Sequence, residues 1–111
     1  MDRGGLQIIQ PDVTVCGGLS VASEVSEIAY AAGRRTIPHS FSTGVSLMAS
    51  IQWMASRPDG EVVEFCLSQS QFMRRLVTTQ PRLEDGFVAV SDAPGFGIEL
   101  NRDVVERYRV P

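Results

Sequence analysis

The sequence predicts an α/β fold built on parallel strands, and three observations carry that prediction. Short apolar runs alternate with helix-period segments in the order βαβαβ, which implies a parallel sheet with right-handed crossovers. Each apolar run closes on an ionisable residue: LQIIQP leads to Asp12, TIP to His39, and VV to Glu64, with Phe65 following. The intervals between these residues are 27 and 25 positions, about the length of one strand–loop–helix unit. Parallel βα units bring the carboxyl ends of their strands to one face, where barrel enzymes carry their chemistry. Asp12, His39 and Glu64 are therefore expected to converge, a lone histidine with an acid on either side.

The elements follow in order. Leu6 to Gln10 reads as a short strand, ended by Pro11, which lacks a ladder donor. After Gly17 and Gly18, the pattern turns helical from Ser20, with Val21, Val25, Ile28, Ala29 and Ala32 at steps of three or four. Ser20 is the expected N-cap and Gly33 the expected stop. Thr36 and Ile37 form a second strand, closed by Pro38. A polar loop, Ser40 to Gly44, leads to a second helix bearing Leu47, Met48, Ile51, Met54 and Ala55, which Arg57-Pro58-Asp59-Gly60 terminates. Glu61 to Phe65, rich in β-branched residues, reads as the third strand. Gln71 to Val77 is expected to be a short amphipathic helix. Phe87 to Val90 and Phe96 to Leu100 read as a hairpin around Ser91 to Gly95, and Arg102 to Arg109 as a turn or two of surface helix.

Composition narrows the function. A chain of 111 residues, 43% hydrophobic and 21% charged, reads as one globular domain. Its net charge of −3 supplies no field for a phosphate backbone, which argues against nucleic-acid binding. All ten cations are arginine, so no lysine within these residues can serve as Schiff base or general base. Cys16 and Cys66 are too few for a disulfide framework and lack zinc spacing, so free thiols in a reducing cytoplasm are expected. Neither a signal peptide nor a membrane span is evident. Three parallel strands and two helices cannot close a barrel or cover both faces of a sheet. The chain is thus expected to be part of a larger fold, or a piece that needs complementary surface.

The ordered set Gln10-Pro11-Asp12, Cys16-Gly17-Gly18, Pro38-His39-Ser40 and Val63-Glu64-Phe65 resembles the mandelate racemase and muconate-lactonizing branch of the enolase superfamily. Asp85-Gly86-Phe87 and Pro94-Gly95-Phe96-Gly97-Ile98 extend the resemblance to the family's C-terminal segment. It implies a partial TIM-type (β/α)₇β barrel over residues 1–70, holding the sixth to eighth strands. Residues 71–111 become a C-terminal extension, with hairpin and short helix, that packs back on a capping domain. It also implies a reaction: one Mg²⁺ and a base remove the proton next to a substrate carboxylate, and the metal and hydrogen bonds stabilise the enediolate. The family's metal carboxylates lie on the third, fourth and fifth strands, and its lysine motif on the second. None of these is among the present residues, so the Mg²⁺ ligands are expected outside this chain.

The residue types suit the implied roles. Imidazole titrates near pH ~6.5, so His39 can exchange a proton at neutral pH. Asp12 would fix its tautomer, and Glu64 would hydrogen-bond a substrate carboxylate at the rim. Each has a plainer alternative: a loop histidine, a turn-forming aspartate after proline, a solvated strand-end acid. Ser40 is a candidate substrate contact, although a hydroxyl-rich loop before a helix also serves as a cap. As a nucleophile Ser40 is disfavoured, because adjacent strand residues face opposite sides. The expected function is dehydration of a sugar acid or hydroxy acid. A racemase or epimerase of the same family, and a noncatalytic truncated product lacking the metal site, are the alternatives. The expected partners are a small carboxylate substrate, the remaining barrel and cap, and a second copy of the chain.

Overall fold

The computed structural model describes residues 5–111. Its elements are β1 (Ile8–Ile9), α1 (Leu19–Ala31), β2 (Arg35–Thr36), α2 (Gly44–Ala55), α3 (Gln71–Arg75), β3 (Leu83–Glu84), β4 (Phe87–Val88) and α4 (Arg102–Arg107). β1 and β2 pair in parallel, Ile8 opposite Arg35 and Ile9 opposite Thr36. The backbone ladder runs beyond these assigned residues. Arg35, Ile37 and His39 each donate an N–H, at 3.1 Å, to the carbonyls of Gln7, Ile9 and Pro11 in turn. Proline residues therefore do not end the pairing. Pro11 lends its carbonyl, and Pro38 falls where the N–H would point away from β1.

α1 connects the two strands. Its N-cap is Gly18 rather than the expected Ser20, with φ of 90° and no side-chain cap. At the other end Gly33 takes the left-handed conformation, φ 67°. Arg34 N–H donates to Ala29 O and Gly33 N–H to Tyr30 O, both at 2.9 Å, the doubly bonded glycine stop expected there. The buried face is a stripe of small residues, Ala22, Ser26 and Ala29. Val21 and Ile28, expected to face inward, are exposed. Small side chains let the helix approach closely, and that rotates the larger ones outward.

α2 is the central element. Nine of its twelve residues are buried, so it is covered on nearly every side rather than along one stripe. Ala49, Trp53 and Met54 pack with Val13 and Ala22, while Leu47, Met48 and Ile51 pack against Val63, Phe65, Val88 and Ile98. Trp53 Nε1–H donates to Ser23 Oγ at 3.0 Å and pins α2 to α1.

The segment 61–65 does not form the expected third strand: it makes no ladder with β2 among the described residues. Alternation along β2 explains this. Arg35, Ile37 and His39 donate toward β1, so Thr36, Pro38 and Ser40 face the other edge. Pro38 has no N–H, and the Ser40 N–H is taken by the Glu64 side chain at 2.6 Å. The segment nevertheless keeps a two-residue alternation. Val63 and Phe65 pack on α2, and Glu64 points to the opposite side.

The C-terminal hairpin also differs from expectation. β3 and β4 pair antiparallel, Leu83 with Val88 and Glu84 with Phe87, around Asp85-Gly86. Both turn residues have positive φ, 50° and 84°, the two-residue turn that matches strand twist. Phe96 and Ile98 do not pair with 87–90 but pack on α2, and Leu100 bridges Val77. Asn101 Oδ1 accepts from Val104 N–H at 3.3 Å and caps α4, the expected surface helix. The rings of Phe72 in α3 and Tyr108 meet at a tilt of 58°, their centroids 5.1 Å apart.

Candidate active site

The parallel register decides which side chains meet. Partners in β1 and β2 differ by 35 − 8 = 27 positions. His39 and Asp12 differ by the same 27, so continued pairing sets them opposite one another at the carboxyl ends. There His39 Nδ1 lies 3.0 Å from Asp12 Oδ2. The other oxygen, Oδ1, accepts from the Thr14 N–H at 2.8 Å and from the Thr14 hydroxyl at 2.6 Å. Asp12 thus behaves as a turn-forming aspartate with one oxygen and as an imidazole partner with the other. The Asp12 side chain is only 12% exposed, whereas that of His39 is 49% exposed, leaving the imidazole open on one side.

Glu64 joins the pair from the third segment. Its Oε2 accepts the Ser40 N–H, so its carboxylate sits beside the residue that follows His39. The structure therefore gathers Asp12, His39 and Glu64, as their sequence positions predict. Ser40 arrives differently. Alternation sends His39 to the open side and Ser40 to the packed one, where it is 1% exposed. Its Oγ is buried with no partner among the described residues. Ser40 accordingly meets the site through its backbone, not through the hydroxyl expected to touch substrate. Thr14 is the residue that sequence reasoning passes over. The available signal is a hydroxyl two positions after an aspartate, the spacing of a side-chain turn.

Charge follows the geometry. Burial pushes the Asp12 carboxyl up, but hydrogen bonds from the Thr14 hydroxyl, His39 and the Thr14 N–H outweigh it and hold the group below 3.8. The hydrogen bond to Asp12 lifts His39 above 6.5; slight burial opposes this, and the charges of Glu64 and Asp12 reinforce it. The pair is a base whose protonated form is favoured, able to take a proton and to return it.

A divalent cation does not fit these residues. Among the described residues no three His, Cys, Asp or Glu side chains gather closely enough to hold one. Both Asp12 oxygens are engaged by Thr14 and His39, and one Glu64 oxygen by Ser40.

Parallel strands crossing over through a helix, with ionisable side chains at their carboxyl ends, define an α/β domain. Residues 1–104 match the family described as enolase C-terminal domain-like, and the chain belongs to that family, in its mandelate racemase/muconate lactonizing branch. It is 32% identical to D-galactarolactone cycloisomerase of Agrobacterium fabrum over all of this chain and 32% of that protein. It is 30% identical to L-rhamnonate dehydratase of Saccharopolyspora erythraea, over 94% of this chain and 27% of that enzyme. The crystal structure of mandelate racemase/muconate lactonizing enzyme from Jannaschia sp. CCS1 superposes with a TM-score of 0.82 at 34% identity. That match covers 95% of this chain and 27% of the other. The chain thus spans about a third or less of its relatives' length. No helix among the described residues is long and apolar enough to cross a membrane.

Proposed function

We propose that these residues supply the last three strand positions of a (β/α)₇β barrel whose His39 removes the proton next to a substrate carboxylate. Dehydration of a sugar acid or hydroxy acid is the outcome best supported. The observation that carries this reading is the 3.0 Å contact between His39 Nδ1 and Asp12 Oδ2 on a half-open ring. With Nδ1 turned to the carboxylate, Nε2 is the nitrogen free to take the proton and later return it. Asp12 orients the ring and stabilises its charged form. Glu64 lies at the rim, where its second oxygen would hydrogen-bond a substrate carboxylate. Ser40 contributes by holding Glu64 through its N–H. The Mg²⁺ general to the superfamily would polarise the substrate carboxylate, and its ligands would lie outside these residues.

Exposure supports a larger assembly. Parallel strands are ordinarily covered on both faces, yet Ile8 in β1 is 41% exposed, Leu6 is exposed at the amino end of that strand, and Phe41 is exposed two residues after His39. We assign their cover to the remaining barrel strands, with a second copy of the chain as the other candidate. The segment 71–111 would lie against a capping domain. The unpaired Cys16 and Cys66 support a reducing, cytoplasmic location. Isomerisation is the second reading, favoured by the match to a cycloisomerase. In either case the metal ligands would lie outside the described residues, and this segment is expected to be inactive alone.

The test is His39→Asn in the complete enzyme. Deuterium exchange at the carbon next to the carboxylate should fall by about 10²-fold or more, the usual worth of a general base, with metal affinity retained. Exchange that persists undiminished would exclude His39 as the base.

A further inference from the structure

We infer that Thr14 is a positioning residue whose hydroxyl sets which oxygen of Asp12, and hence which nitrogen of His39, is available to the reaction. The inference rests on the proposed role of His39 and Asp12 and adds the group that fixes their mutual orientation.

Asp12 has two carboxylate oxygens, and the three donors around it are divided unequally. Thr14 spends both its N–H and its hydroxyl on Oδ1, at 2.8 and 2.6 Å. His39 Nδ1 meets Oδ2 at 3.0 Å. Two donors on Oδ1 hold the carboxylate against rotation, so Oδ2 stays aimed at the imidazole. The ring is then held by Nδ1, and Nε2 turns to the open side. Thr14 is not placed by chance rotamer choice. The turn that carries it is closed by backbone bonds from Val15 N–H and Cys16 N–H to Asp12 O, at 3.0 and 2.8 Å. The Thr14 residue itself is exposed, so it adds nothing to the packed core. Among the described residues its hydroxyl has one partner, Asp12.

Valine matches threonine in shape and lacks only the hydroxyl, while serine keeps the hydroxyl and loses a methyl. These two substitutions separate the donor from the packing. The titratable group whose charge acts on the pair from another element is Glu64; Cys16, in the same turn as Thr14, packs against the core and sends its thiol toward Gly18 O at 3.8 Å. Neither substitution alters them.

The experiment uses the 111-residue chain with ¹⁵N-labelled histidine. One histidine is present, so one imidazole spectrum reports the site. Its shifts, followed from acid to alkaline pH, should bend twice: below 3.8 as Asp12 gains a proton, and above 6.5 as His39 loses one. In Thr14→Val the lower inflection should move up, because a donor that favours the charged carboxylate is gone. In Thr14→Ser it should stay at the wild-type position. A lower inflection that is absent from wild type, unmoved in Thr14→Val, or moved equally in Thr14→Ser overturns the inference. So does a Thr14→Val chain that fails to fold while Thr14→Ser folds, since the hydroxyl would then serve the fold. None of these results touches the base assignment of His39, which the deuterium exchange of the complete enzyme decides separately.

Discussion

Replacing Gly60 with alanine should dislodge Glu64 from the site without touching it. Gly60 ends the turn after α2, and an added Cβ there would lie 2.7 Å from the Met54 carbonyl carbon and closer still to its oxygen. These are backbone atoms of the last helical turn, so no side chain can rotate aside. Overpacking costs about 1–3 kcal/mol, and the immobile neighbour places this substitution at the upper end, about 2–3 kcal/mol. For a domain of this size that corresponds to a fall of roughly 10 °C in Tm. The strain has one outlet. The segment after Gly60 has no strand ladder to hold it, so it should swing away from α2 and carry Glu64 off the Ser40 N–H, now 2.6 Å distant. Two readouts follow. Thermal unfolding is monitored by Trp53, the sole tryptophan, 4% exposed on α2. The Ser40 amide proton reports the hydrogen bond by its chemical shift and should move upfield. A Gly60→Ala chain with an unchanged Tm and an unchanged Ser40 amide would refute both the steric argument and the coupling to Glu64.

Three further outcomes follow from the same contacts. Ser23→Ala should leave the buried Trp53 indole N–H without an acceptor, at about 1–3 kcal/mol. In urea the midpoint should fall with the slope unchanged, and an unmoved midpoint would contradict the assigned bond. The Asp12–His39 pair should make stability depend on pH in a defined window. His39 is raised, so its contribution is complete below 6.5 and lost as pH rises through its folded value; Asp12 is lowered, so its contribution is complete above 3.8 and lost as pH falls. The stability difference between wild type and Asp12→Asn should therefore peak between these values and shrink at pH 9, and a difference flat across pH would count against the pair. Asp12→Asn in the complete enzyme should slow deuterium exchange less than His39→Asn does, because the ring is misoriented rather than removed. Equal losses would mean that Asp12 does more than orient.

Both long helices and the meeting of Asp12 with His39 were legible because local signals and long-range geometry agree there. Gly33 can adopt the left-handed stop, and the 27-residue spacing of the acids and bases equals the register offset of the two strands. The third strand was misread because its β-branched composition says nothing about its neighbour's donors. Pro38 and the Glu64 side chain jointly remove the hydrogen bonds such a strand would need. The hairpin was misplaced because Ser91 to Gly95 is dense in turn residues, whereas Asp85-Gly86 is the shorter and stronger hairpin signal. The face of α1 was rotated because periodicity ranks Val21 and Ile28 above Ala22 and Ser26, although small residues permit the closer approach. Ser40 follows the strand alternation that opposes its use as a nucleophile, and the same alternation removes its hydroxyl from the open side. The role of Thr14 depends on a turn conformation that composition alone does not specify.

The most direct test of the central claim is the tautomer of the neutral His39 ring, read from long-range ¹H–¹⁵N correlations of the single imidazole above its titration point. A carboxylate held at Nδ1 should keep the proton there, leaving Nε2 unprotonated and basic. A ring protonated at Nε2, the form free imidazole side chains prefer, would mean that Asp12 does not grip it and that the proposed base is not assembled.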